Sequence, residues 1–132
     1  MSYAKYNNLG RSNEEVVDPN ILNAVVKVQN TAHKKHLVSN NKVCVINVSA
    51  GWCGPCKELA PKYAILSQNY NREGVCSLAK ENVDEQISFQ EAPPVTGVPT
   101  FQIFYKGQFH TDIVGADISL VEQTIRNLLQ LK

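Results

Sequence analysis

The apolar positions of the chain change period repeatedly, and each change marks an expected element. Ile21, Leu22, Val25, Val28 and Ala32 recur at helical spacing behind Asp18 and Pro19, which suit an N-cap and a first helical residue. The pattern therefore predicts a helix that ends near Ser39 to Asn41. Val43-Cys44-Val45-Ile46-Asn47-Val48 is a short, nearly continuous apolar run, as a central strand buried on both faces requires. After Cys53, the residues Leu59, Tyr63, Leu66 and Tyr70 form one helical stripe. Pro61 falls inside it, where a kink is expected, and the pattern fades by Gly74.

A second strand pattern runs from Val75 to Val83, followed by a short helical piece from Asp84 to Ala92 and a breaker, Pro93-Pro94. Thr100 to Tyr105 and Gln108 to Val114 read as two strands joined by a two-residue turn, Lys106-Gly107. Asp117 or Ser119 caps the last helix, whose buried stripe is Leu120 or Val121, Ile125, Leu128 and Leu129. Helices alternate with strands first and an antiparallel hairpin closes the sheet, which gives an α/β class with a mixed sheet. Met1 to Val17, rich in Asn, Ser and Tyr without period, reads as an N-terminal extension, a mobile arm or strap. Residues 18–132 form the domain.

Composition narrows the function. A chain of 132 residues is one ordinary domain that buries a core without disulfide staples. A formal net charge of +1 with 19% charged residues makes no field that would select nucleic acid or an anionic membrane as principal partner. No apolar run approaches the roughly 18 residues of a membrane span. Four cysteines do not make a disulfide scaffold at this length, and Met1 to Arg11 lack an apolar signal core, so a cytoplasmic protein is expected. No face shows an apolar excess. A monomer is the default, with a dimer linked through Cys76 or paired by a surface as the alternative.

The chemistry concentrates in Trp52-Cys53-Gly54-Pro55-Cys56, set between the apolar strand and the kinked helix. That placement puts Cys53 at a helix N-terminus, where unpaired N–H groups and the macrodipole favour the thiolate. Cys56, one turn deeper on the same face, can attack a mixed disulfide formed at Cys53. A zinc site would want a second cysteine pair at similar spacing, which Cys44 and Cys76 do not offer. Cys44, in the apolar run, reads as a small buried hydrophobe; Cys76 reads as a packed thiol, with a regulatory disulfide as the alternative. His33-Lys34-Lys35-His36 reads as a solvated helix face rather than a ligand pair or docking patch.

Strand, WCGPC, helix with an internal proline and terminal hairpin in that order closely resemble thioredoxin, with the likeness running from Val43 to near Leu131. Lys57, Pro61, Lys80, Val98-Pro99-Thr100 and Gly115 match at mutually consistent spacing. The resemblance implies a thioredoxin-like fold, a mixed sheet flanked by helices, with Cys53 as attacking thiolate and Cys56 as resolving thiol. It implies a cis Val98–Pro99 bond that brings the Val98 backbone beside Cys53, so that an extended substrate segment can add as a strand. Trp52, Gly54, Pro55, Gly97, Val98, Pro99 and Gly115 would then make the substrate groove. Lys57 and Lys80 would modulate the site, as would Asn47, which stands where the family usually carries a buried aspartate. Asn47 is read either as a plain core amide or as a change that leaves Cys56 to be activated by solvent, Lys80 or substrate.

The function implied is reduction of oxidised protein substrates through a Cys53–Cys56 dithiol/disulfide cycle. No resident cofactor is expected, and the external donor would be a thioredoxin reductase or a glutathione-type system. Gly54-Pro55 is the pair that reducing members carry between the cysteines. A disulfide oxidase or isomerase and a non-catalytic binding module of the same fold are the competing readings.

Overall fold

The structure, a computed structural model, describes residues 19–131. The expected extension over Met1 to Val17 and the Asp18 cap lie outside the described residues. The chain opens on a 3-10 helix, Pro19–Ala24, and continues through β1 (Val26–Lys27), α1 (Thr31–Ser39), β2 (Val43–Ser49), α2 (Gly54–Tyr70) and β3 (Cys76–Asn82). A 3-10 turn at Val83–Glu85 leads to β4 (Thr100–Tyr105), β5 (Gln108–Val114) and α3 (Ile118–Leu129). The strands form one sheet in the order β1-β3-β2-β4-β5. β1, β3 and β2 run parallel, whereas β4 is antiparallel to β2 and β5 to β4.

The continuous apolar run becomes the central strand β2, and alternation along it serves two cores. Val43 and Val45 face Leu59, Tyr63, Leu66, Val121 and Ile125 of α2 and α3; Cys44, Ile46 and Val48 face Val28 and Val38 on the α1 side. Tyr63 anchors the first core. Its ring is fully buried, and its hydroxyl donates to the Ala79 carbonyl at 2.7 Å, with the Val45 carbonyl at 3.2 Å. One side chain thus fastens α2 to both β2 and β3.

Four expectations need correction. The single helix predicted from Pro19 to about Ser39 is three pieces, because the β-branched stretch Val25-Val26-Lys27-Val28 takes extended backbone, Val28 N donating to Lys80 O at 2.8 Å. Asn30 then starts α1 afresh by accepting from His33 N at 2.8 Å, and Ala32 is exposed rather than part of a buried stripe. The helical piece expected over Asp84 to Ala92 is only the turn Val83–Glu85, closed by Gln86 at φ +51°. Beyond it Ile87, Phe89, Ala92, Val95 and Val98 are spent covering the α1 face of the sheet. The face at His33 to His36 is not wholly solvated, since Lys34 is 1% exposed.

The remaining elements follow the pattern. Lys106 at φ +53° and Gly107 at φ +83° form the two-residue hairpin turn, both in the left-handed region that such turns demand. Of the two alternatives for the last helix, Asp117 caps it, accepting from Leu120 N at 3.0 Å, and Val121 is buried while Leu120 is exposed. Helix α2 runs through Pro61, which forfeits one backbone hydrogen bond without ending the helix.

Candidate active site

β2 delivers the chain to Ser49 and α2 carries it away from Gly54, so the five residues from Trp52 to Cys56 sit on the strand-to-helix turn. Cys53 is the N-cap of α2, with extended backbone at φ −94° and ψ 114°, and its Sγ accepts the Cys56 N–H at 3.2 Å. Lys57 N closes the first turn onto Cys53 O. A sulfur at this place meets an N–H group and the positive end of a seventeen-residue helix, both of which stabilise a thiolate. Cys53 and Cys56 are joined by a disulfide, their Cα atoms 5.3 Å apart. Both are buried, in a small apolar cluster with Ala50, Val83 and Val98.

The Val98–Pro99 peptide bond is cis, and Val98 O lies 3.8 Å from Cys53 Sγ. The strap that leads to β4 therefore meets the head of α2 at the sulfur. Thr100 Oγ1 donates to Gly97 O at 2.6 Å and Gly115 N to Pro99 O at 2.8 Å, so the groove residues of strap and hairpin are hydrogen-bonded into one rim. Gly115 sits at φ +106°, a conformation that a side chain would strain. Trp52 is 69% exposed, with its indole N–H donating to Asp84 Oδ2 at 3.0 Å. Gly54 and Pro55 are exposed beside it.

The modulating candidates are placed less centrally. Asn47 is buried and pairs in register with Lys80 on β3, on the sheet face of α2; its Oδ1 has no hydrogen-bond partner among the described residues. Lys80 Nζ donates to the Leu22 carbonyl at 2.9 Å, and Lys57 is exposed on the first turn of α2. Cys44 and Cys76 are buried on opposite faces of the sheet. Burial pushes each thiol up to about 12, with the Cys76 charge adding at Cys44, so neither supplies a thiolate near neutrality. Cys76, 2% exposed, is a packed thiol with no surface sulfur to offer another chain.

Comparison with known proteins fixes the family. The model of the thioredoxin family matches residues 24–127. The chain belongs to the thioredoxin family. Thioredoxin 1 of Plasmodium falciparum is 32% identical over 98 residues, covering 74% of this chain and 91% of that protein. Thioredoxin-1 of Schizosaccharomyces pombe is 30% identical over 102 residues, 77% of this chain and 96% of its own length. The oxidised crystal structure of mitochondrial thioredoxin 3 from Saccharomyces cerevisiae aligns with a TM-score of 0.72 at 31% identity, over 81% of this chain and 98% of that one. A thioredoxin with a Cys53–Cys56 disulfide is a thiol-disulfide oxidoreductase, and the chain is a protein-disulfide reductase.

Asp84, the acceptor of the Trp52 N–H, is marked by no motif in the sequence. An indole 69% exposed can leave its N–H to solvent, so the Trp52 position does not by itself demand a protein acceptor. Nothing in the sequence says which of the surrounding carboxylates supplies it.

Proposed function

We propose that Cys53 attacks and Cys56 resolves. The observation that carries this is the N-cap geometry, in which the Cys53 sulfur receives the Cys56 N–H and the helix dipole. The Cys53 thiolate displaces one sulfur of a substrate disulfide, forming a mixed disulfide and releasing a substrate thiolate that takes up a proton. The Cys56 sulfur, deprotonated, then attacks Cys53; the Cys53–Cys56 bond forms, the second substrate sulfur leaves and is protonated. Two electrons pass from the dithiol to the substrate. An extended segment of that substrate pairs with the backbone at Val98, over the rim of Trp52, Gly54, Pro55, Gly97, Pro99 and Gly115.

In this reading the protein works without a resident cofactor, as a cytoplasmic monomer. A thioredoxin reductase or a glutathione-type system regenerates the dithiol. Asn47 carries no proton between pairs of thiols, so Cys56 is activated by solvent, by Lys80 or by the substrate; Lys57 adds positive charge beside Cys53.

Equilibrium titration of the pair against a dithiol buffer, with Cys44→Ser and Cys76→Ser in place, tests the direction of electron flow. A potential on the reducing side of the glutathione couple is expected. A markedly more oxidising value contradicts the reductase cycle and points to disulfide formation or isomerisation.

A further inference from the structure

Lys34 is the one lysine among the described residues that is buried, and its surroundings are specific. From α1 its ammonium donates to Glu81 Oε1 at 2.7 Å and to Gln102 Oε1 at 2.7 Å, and it stands 4.6 Å from the centroid of the Phe89 ring. The Lys34 and Glu81 side chains are 2% and 7% exposed. Two charges taken this far from water persist only where partners complete their hydrogen bonding, and removal of one leaves the other uncompensated.

What those partners border gives the cluster its meaning. Residues 86–99 form a strap without helix or strand between the Val83–Glu85 turn and β4. Glu81 precedes the strap, on β3; Gln102 follows it, on β4; Phe89 belongs to it. The register places Val48 and Ile46 of β2 between the two acceptors, so the ammonium spans the central strand. Beyond Glu81, the Asn82 side chain accepts from Asp84 N at 2.9 Å, and Asp84 receives the Trp52 indole. Before Gln102 come Val98, whose carbonyl faces the Cys53 sulfur, and Pro99. Ile87, Ala92, Val95 and Val98 also pack against the sheet; the other polar ties to the strap region are weaker. Lys27–Glu85 and Lys35–Glu91 are exposed pairs that contribute little, which leaves the Thr31 Oγ1 bond to Ser88 O at 2.6 Å as the neighbouring support.

We infer that Lys34 is a positioning residue of the substrate face: one buried ammonium ties Phe89 of the strap to the strands on either side of it, and so helps to set Val98 and the Asp84-bound Trp52 beside Cys53. The inference rests on the proposed pairing of substrate with the Val98 backbone. It implies a split between substrates. A small disulfide needs only the Cys53 sulfur, whereas a protein disulfide also needs the backbone rim.

The test is the double variant Lys34→Met with Glu81→Leu, which replaces the ion pair by apolar side chains of similar volume and so separates positioning from the cost of an orphaned charge. With dithiothreitol as electron donor, KM for insulin should rise about tenfold, while the single-turnover rate at which the pre-reduced, dithiothreitol-free protein reduces a small aromatic disulfide reagent stays within about twofold of the parent. Phe89→Leu, which keeps the ion pair and an apolar side chain, should move insulin KM the same way by less, and it decides the matter if the double variant does not fold. Insulin KM within about twofold of the parent, or equal slowing on both substrates, overturns the inference. A parent that fails to reduce insulin at all removes the functional reading itself, and this inference with it.

Discussion

At Asn47 the structure and the family likeness meet in one side chain. The amide is 4% exposed and its Oδ1 lacks a partner among the described residues, across the strand pair from Lys80. Asn47→Asp would put a carboxylate there. Burial penalises its charged form and raises its pKa, so the variant should be less stable once pH exceeds the pKa of the unfolded carboxylate, and stability should fall until the folded-state pKa is passed. Its pH profile in single-turnover reduction should also gain a carboxylate titration beyond those of the two thiols. Profiles of parent and variant that superimpose would show that the amide has no bearing on Cys56. The two active cysteines were legible in sequence because five consecutive residues carry them. Lys34 was not: its acceptors lie 47 and 68 residues away, and nothing in a helix-face pattern marks a lysine that a sheet will satisfy.

Among the elements, those defined by long apolar patterns were read correctly: β2, α2, the terminal hairpin and α3. Those overruled by local competition were not. The first predicted helix had good periodicity, but four residues of mostly β-branched character and the capping amide of Asn30 divide it. Asn30→Ala should therefore lower stability by about 1 kcal/mol through loss of the cap on His33 N, with the active-site rates unchanged. Chemical denaturation of the two proteins measures it; an unchanged midpoint would mean that α1 is held by its sheet contacts alone. Likewise, the piece after Asp84 has helix-compatible spacing, yet its apolar side chains are needed flat against the sheet. Tertiary demand sets the backbone there.

For the molecule as a whole, the class, the mixed sheet and the strand-to-helix setting of the cysteines were foreseeable, since a hydrophobic period fixes which face each element buries. The strap and its anchoring were not, because they depend on contacts across the sheet rather than along the chain. The resulting design places a thiolate-favouring helix terminus, an exposed indole and a strap backbone on one face, while the other two thiols are buried away from it. Cys53 is the sulfur that meets substrate in the proposed cycle. Trapping tests it most directly: oxidised protein substrate is mixed with the Cys56→Ser and Cys53→Ser variants, both also carrying Cys44→Ser and Cys76→Ser, and covalent adducts are mapped by mass spectrometry. Accumulation of a mixed disulfide through Cys53 in the Cys56→Ser chain, with none in the Cys53→Ser chain, is the predicted result. An adduct through Cys56, or no adduct in either variant, would contradict it.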